Sequence, residues 1–292
     1  MKGNSRQYLI AFNMISGIGG RRLLALQKSF GSLGAAWRAS RQALLKVPGI
    51  GTKLAANICG QRSSICPYQE ERWAQSLGAE IVTLADPNYP RVLERLAVPP
   101  PVLYVRGSLP QKKGIAVVGS RRPSLSGVEE VRKFTRALAR QGIAIISGMA
   151  RGIDFHAHQS ALNAAGYTAA VLGSNLGSLY PAEHSALAEK IAESGAVLTE
   201  FSSRCPTVPG NFPRRNRIIA GLSQAVLVVQ ASRKSGAINT ANWALELGLD
   251  VWAIPGDISD PLRQGTNNLI KEGAFPATEV DDLLDYSCAW GH

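Results

Sequence analysis

No Asp or Glu occurs before Glu70, although that stretch carries ten basic side chains, Lys2, Arg6, Arg21, Arg22, Lys28, Arg38, Arg41, Lys46, Lys53 and Arg62. The remaining 223 residues hold 22 basic and 21 acidic groups, so nearly all of the formal charge of +11 belongs to a small N-terminal stretch. Such a field attracts polyanions and releases their counterions on binding, which points to a phosphate-bearing partner. A soluble basic surface is the plainer alternative. The four cysteines form no CxxC pair and no zinc-ribbon spacing, so reduced, packed thiols are expected. No apolar run is long enough for a helical membrane span. The weak apolar run at 8–15 is followed by Arg21 and Arg22 rather than a cleavage pattern, which predicts no secretory signal and a cytoplasmic protein. Hydrophobic residues at 45% and charged residues at 18% exclude wholesale disorder, and 292 residues suit one or two domains.

Nucleotide fingerprints are also missing. No G-x-G-x-x-G follows an apolar run, and Lys234-Ser235 lacks the upstream glycine of a Walker A loop. No G-x-S-x-G is present, so a hydrolase elbow is unsupported.

What is present divides in two. Residues 5–66 read as a helical domain, with apolar faces from Leu23, Leu24, Leu26, Leu44, Leu45, Leu54 and Ile58. Two turns within it match: Ile15-Ser-Gly-Ile-Gly-Gly-Arg21 and Val47-Pro-Gly-Ile-Gly-Thr-Lys53. Each is a hydrophobe, a small residue, Gly-Ile-Gly and then a helix opening with a basic residue, the helix-hairpin-helix pattern. Its glycines let amides at a helix N-terminus approach a phosphate; an ordinary tight turn is the alternative. Residues 67–111 form a junction in which Asp86-Pro-Asn-Tyr-Pro90 and Pro99–101 exclude helix, with a short strand at 103–105. From Gly114 onward, apolar runs at 115–118, 143–146, 169–172, 196–198, 226–229 and 251–254 alternate with helical segments, one of them at 127–141. Runs without polar alternation suit strands buried on both faces. The expected fold is therefore α/β, a Rossmann-like, doubly wound, mostly parallel sheet over 70–286, preceded by the small all-α domain.

Ligands of such sheets bind beyond the carboxyl ends of the strands. The loops there read Gly119-Ser-Arg-Arg-Pro123, Ser147-Gly-Met-Ala-Arg-Gly-Ile-Asp154, Gly173-Ser-Asn175, Thr199-Glu-Phe201 with Phe212-Pro-Arg-Arg-Asn-Arg217, and Gln230-Ala-Ser-Arg-Lys-Ser-Gly236. Glycine and serine beside Arg or Lys in several loops fit anion capture by amides, hydroxyls and cations together. Arg121 and Lys234 supply charge in this reading; Ser147, Gly148, Ser235 and Gly236 supply close-approaching donors. Aromatics are only 7% of the chain, and Phe155, Phe212 and Trp243, the stacking candidates a single-strand binder would use, are expected in the core. Asp154, His156 and His158 lack a further positioned ligand, so no metal is expected.

These stretches, with Pro101-Val-Leu-Tyr-Val-Arg-Gly107, Tyr180-Pro181, Asn211-Phe-Pro-Arg-Arg-Asn-Arg-Ile-Ile-Ala-Gly-Leu-Ser223, Ile254-Pro-Gly256 and Gly265-Thr-Asn-Asn-Leu-Ile270, resemble the DNA-processing protein A (DprA/Smf) family over residues 100–286. The N-terminal unit resembles that family's sterile-alpha-motif-like domain. The resemblance implies a single-stranded DNA-binding protein without catalytic residues or cofactor, which protects incoming strands during natural transformation and loads the RecA recombinase. It implies a homodimer formed through the Rossmann-like domain. Gly119, Ser120 and Arg121 match one phosphate-contacting loop, Lys234, Ser235 and Gly236 a second, and Arg214 and Arg215 the family's FPRRN segment; Ser147, Gly148 and Arg151 complete the expected DNA-binding set. Glu200 is expected to orient an arginine. Gln230 stands where the family often has Glu, Leu249 where it often has Arg, and His156 is an additional histidine. Many members continue into a winged-helix domain not seen before His292, either because this member lacks it or because the sequence stops short of it; if it is lacking, the basic N-terminal domain is the expected auxiliary contact, including to duplex DNA. The competing readings are a nucleoside-monophosphate phosphoribohydrolase on a related fold, with Glu200 as acid, and a duplex binder working mainly through the twin turns.

Overall fold

The computed structural model describes residues 3–110 and 113–288. Its first part is helical: α1 (Gly3–Asn13), α2 (Gly20–Phe30), α3 (Leu33–Arg38), α4 (Arg41–Leu44), α5 (Thr52–Gln61) and α6 (Pro67–Ser76). Ser32 and Ser40 start α3 and α4 by accepting the amides of Ala35 and Ala43, the usual use of serine at an N-cap. The two Gly-Ile-Gly turns share one backbone. Gly17 and Gly49 take φ of 89° and 80°, a region that a side chain would strain. Gly19 and Gly51 then lie extended as the N-caps of α2 and α5, neither with a side-chain cap. Ile18 and Ile50 between them are buried. Arg22 ties the turns together, Nε donating to the Gly49 carbonyl at 3.0 Å and Nη1 to that of Gly17.

The junction holds more regular structure than expected. Besides β2 (Val102–Gly107), which covers the strand expected at 103–105, it contains α6 and β1 (Ala79–Thr83). Pro67 opens α6 at its first turn, where the missing amide costs nothing. Beyond it come β3 (Gly114–Val118), α7 (Leu125–Arg140), β4 (Ala144–Ser147), α8 (Ile153–Asn163), β5 (Thr168–Val171), α9 (Ser185–Ser194), β6 (Ala196–Thr199), α10 (Asn211–Gly221), β7 (Ala225–Val228), α11 (Gly236–Glu246), β8 (Asp250–Ala253), α12 (Gln264–Lys271), β9 (Phe275–Pro276) and α13 (Val280–Cys288). All six strands expected from the apolar runs are present.

Among the described residues nine strands form one sheet, in the order β1-β2-β6-β5-β4-β3-β7-β8-β9. From β6 to β9 every pairing is parallel, while β2 runs antiparallel to both β1 and β6. Side chains alternate across the sheet. Ala116, Val118, Val226 and Val228 meet α10 and α11 through Ile218, Ala237 and Ala241. Ile115, Val117, Ala225 and Leu227 meet α7, α8 and α13 on the opposite face. No helix among the described residues is long and apolar enough to cross a membrane.

The N-terminal helices share their apolar core with the sheet edge, since Leu9, Phe12, Leu26, Leu44 and Ile58 cluster with Ala79, Ile81, Val102 and Tyr104. Polar ties reinforce this. Arg6 pairs with Glu71 and Asp86, and the buried Glu70 accepts the amide of Ser203 at 2.8 Å. The Asn13 amide donates to the Glu200 carbonyl at 3.1 Å. Phe12 is fully buried and meets Trp37 edge-on at 4.9 Å. Phe12→Ala should lower unfolding stability in urea by about 3–5 kcal/mol, as one shifted transition. A separate early transition would show that the shared core does not couple the helices to the sheet.

Candidate nucleic-acid interface

In the sheet, β4, β5 and β6 extend from β3 to one side and β7, β8 and β9 to the other. The chain therefore reverses direction of winding between β3 and β7, where a crevice opens above the carboxyl ends of the strands. A cleft of about 500 Å³ occupies that position, bounded by Gly119, Ser120, Arg121 and Arg122 after β3, Ser232, Ser235 and Gly236 after β7, and Phe212, Arg215 and Asn216 of α10. Asp154 is its one acidic lining residue, and it is buried.

The β7 side presents a helix N-terminus. Ser235 caps α11, its Oγ accepting the Ala237 amide at 3.2 Å. A side chain at Gly236 would meet no atom within 4 Å, so the first turn of α11 stands open. Amides there, with the helix dipole, favour an anion. Gln230 fixes the two loops to each other. Its carbonyl accepts the Ser120 amide at 2.7 Å, its Oε1 accepts the Ser124 amide and its Nε2 donates to Ser124 Oγ, both at 2.9 Å. Ser124 Oγ also accepts the Gly127 amide at 3.2 Å and so caps α7. From α10, Asn216 Nδ2 reaches the Gly236 carbonyl and Asn239 Oδ1 at 3.2 Å. Arg121 and Arg122 are exposed, and the Arg121 guanidinium lies 5.7 Å over the Phe212 ring.

The β4–α8 loop departs from the expectation. Met149 adopts φ 60° and Gly152 φ 75°. A side chain on Gly152 would strike the Ser120 carbonyl at 2.3 Å, which explains glycine where this loop crosses the first. The Gly148 and Ala150 amides converge on Asp154 Oδ2 at 3.2 and 3.3 Å, an anion nest already filled by the chain's own carboxylate. Burial raises the Asp154 pKa, opposed first by Arg215 and then by these amides. Ser147 is buried and donates through Oγ to the Val117 carbonyl at 2.6 Å. The donors expected from Ser147 and Gly148 are thus committed internally, and neither residue borders the main cleft.

The arginines of α10 diverge. Arg215 is buried, donating through Nη1 to the carbonyls of Gly148, at 2.6 Å, and Val171, and through Nε to Asn216 Oδ1 at 3.2 Å. Burial lowers its pKa to about 10, with Asp154 raising it, so it stays charged at neutral pH. Arg214 points away from this cleft. It and Arg217 both donate to Glu200 Oε2, at 2.8 and 2.6 Å, and Glu200 is fully buried. Glu200 therefore pairs with arginine and lies outside the cleft. Arg151 is exposed and pairs with Glu183 at 2.5 Å, beside a small side pocket that also meets Gly148 and Tyr180. Lys234 is exposed on the loop between Ser232 and Ser235. Phe212, expected in the core, is instead half-buried in the cleft wall, packed on Gly173. Phe155 and Trp243 are likewise only half-buried, at the margins of apolar clusters. Arg122, Asn216 and Ser232 were not singled out from sequence; the Arg-Arg pair after β3 and the Asn following Arg215 were the available signals.

This is a Rossmann-like sheet with an arginine-lined cleft at its switch point, preceded by a helix-hairpin-helix tandem. The chain belongs to the DNA recombination-mediator protein A family, whose model matches residues 80–287, and a SAM-like helix-hairpin-helix tandem matches 9–61. It is 40% identical to protein Smf of Synechocystis over 290 residues, covering 97% of this chain and 73% of that protein. With DNA processing protein DprA of Bacillus subtilis the identity is 36% over 211 residues, 71% of each chain. The X-ray structure of DprA from Streptococcus pneumoniae aligns with a TM-score of 0.82 at 32% identity, over 96% of this chain and 97% of that one. DprA from Helicobacter pylori, described for its single-stranded DNA binding mode, aligns with a TM-score of 0.65 at 28% identity, over 73% and 97%.

The histidines on α8 do not converge with Asp154, and no group of three metal-binding side chains occurs among the described residues. His158 is fully buried, Nδ1 lying 2.7 Å from Thr168 Oγ1, whose own proton goes to the Ile145 carbonyl at 2.8 Å. Nδ1 is therefore the donor, and Nε2 has no partner. Burial, aided chiefly by the nearby Arg215 guanidinium, lowers its pKa from 6.5 to about 3. An unfolded chain takes up this proton near pH 6.5 and the folded one only near 3, so stability is complete above 6.5 and falls as pH drops between these values. The slope attributable to His158 is about 1.4 kcal/mol per pH unit. His158→Asn, which keeps a donor towards Thr168, should remove that increment from denaturation midpoints compared across pH. An unchanged slope would mean the ring is charged when folded.

Proposed function

We propose that the chain binds single-stranded DNA with little sequence preference, holding successive phosphates in the cleft between the β3 and β7 loops. One observation carries this reading: the open first turn of α11 faces the same cleft as Arg121, Arg122 and the buried Arg215. Phe212, beneath Arg121, offers an aromatic face for a base. Family membership and the binding mode named for the Helicobacter relative support the same ligand. In this reading Gly119, Ser120, Arg121, Ser235 and Gly236 contact phosphate directly and Lys234 adds charge at the rim. Arg215 acts from below, and Arg151 borders the path. The finer assignments follow the family resemblance: a cytoplasmic homodimer that protects incoming strands and loads RecA, with 5–66 and 70–286 as its two domains. No turnover is assigned. The phosphoribohydrolase reading requires Glu200 as an acid in the cleft, and that carboxylate is held by Arg214 and Arg217 elsewhere.

Fluorescence anisotropy with labelled oligo-dT and a matched duplex tests the proposal. Wild type should prefer the single strand, and Arg121→Glu/Lys234→Glu should lose that preference, with the log–log salt slope shallower by about two. Equal binding by a folded double variant would overturn it. Release of free base from nucleoside monophosphates would favour the enzyme reading.

A further inference from the structure

The connection from β5 to α9 brings one more aromatic ring to the mouth of the cleft. Tyr180 stays 42% exposed and belongs to none of the apolar clusters among the described residues. Its ring lies 5.3 Å from that of Phe212, tilted by 60°. An exposed guanidinium covers each ring of this pair, Arg121 at 5.7 Å over Phe212 and Arg151 at 6.0 Å over Tyr180. The four side chains form one row, arginine, ring, ring, arginine. Beneath it is a small side pocket that shares Arg121, Ala150, Phe212 and Arg215 with the main cleft and adds Tyr180 and Pro181.

A single exposed aromatic is ordinary. Two in contact, each faced by a planar cation and not by core side chains, present flat surfaces that a nucleobase can occupy. The charge of Arg151 is already met by Glu183 at 2.5 Å, so its flat face, more than its charge, is what it offers a strand.

We propose that Tyr180 is a base-stacking residue, receiving a second nucleobase beside the one on Phe212, and that it sets the preference for single strands over duplex. A duplex covers its base faces by pairing and stacking and cannot offer them to the row, whereas every unpaired base has a free face, which makes the contact tolerant of sequence. The proposal rests on the single-stranded DNA reading above and adds to it a contact that involves no phosphate.

Fluorescence anisotropy separates that contact from the rest. The probes are oligo-dT, an abasic strand of the same length and a matched duplex, with wild type, Tyr180→Ala, Tyr180→Phe and Arg121→Glu/Lys234→Glu. Tyr180→Ala should weaken oligo-dT binding about tenfold and leave the abasic strand and the duplex unaffected. Its log–log salt slope should match wild type, because no phosphate contact is lost. Tyr180→Phe, which keeps the ring, should rescue binding. Equal losses on oligo-dT and the abasic strand would show that the side chain merely supports its loop, and would overturn the proposal. So would failure of Tyr180→Phe to rescue, or wild-type affinity for oligo-dT in Tyr180→Ala. If that wild-type affinity accompanies a loss in Arg121→Glu/Lys234→Glu, the phosphate cleft stands and the stacking role falls. If the charge variant binds like wild type and Tyr180→Ala loses oligo-dT alone, the phosphate cleft falls and the stacking role stands.

Discussion

A buried positive charge organises the ligand-binding edge of this sheet. Arg215 reaches from α10 to the carbonyls of Gly148 and Val171, just beyond β4 and at the end of β5, and neutralises Asp154 from a distance. Asp154 in turn gathers the amides of the loop that crosses beneath Ser120. Removal of the guanidinium would leave two carbonyls and a buried carboxylate uncompensated, a far larger loss than a surface pair would cause. The cleft above thus has a buried, hydrogen-bonded cation in its floor and exposed cations at its rim.

The segment Phe212-Pro-Arg-Arg-Asn-Arg217 achieves this by helical geometry. Arg214 and Arg217, three residues apart, share one face, while Arg215 lies about 100° round the helix. One helix therefore directs charge both into the cleft and away from it, and the shared Glu200 keeps Arg214 and Arg217 in place. Phe212, at the start of the same helix, provides the wall against which Arg121 rests. Gln230 performs the matching service between the β3 and β7 loops.

Much of the fold was legible because its central strands are buried on both faces and read as unbroken apolar runs. The edge was less so. Strand β1 exposes Glu80 between buried residues, so it lacks an unbroken apolar run, and Pro67 reads as an interruption although a first helical turn accommodates it. Arg121, Ser235 and Gly236 could be placed because loops after parallel strands share one edge. Ser147 and Gly148 could not, because the anion satisfying that loop is Asp154, a few residues along the same chain. Only the left-handed Met149 and the converging amides reveal it. Arg214 and Arg215 look equivalent in sequence, and helix rotation alone separates their roles. Phe212 has the composition of a core residue but sits where the core opens.

A crystal structure of the chain with bound oligo-dT tests the central claim most directly. A phosphate should lie against the first amides of α11 and the Arg121 guanidinium, above Arg215, with a base on Phe212. A strand bound elsewhere, with the cleft between the β3 and β7 loops vacant, would contradict the account.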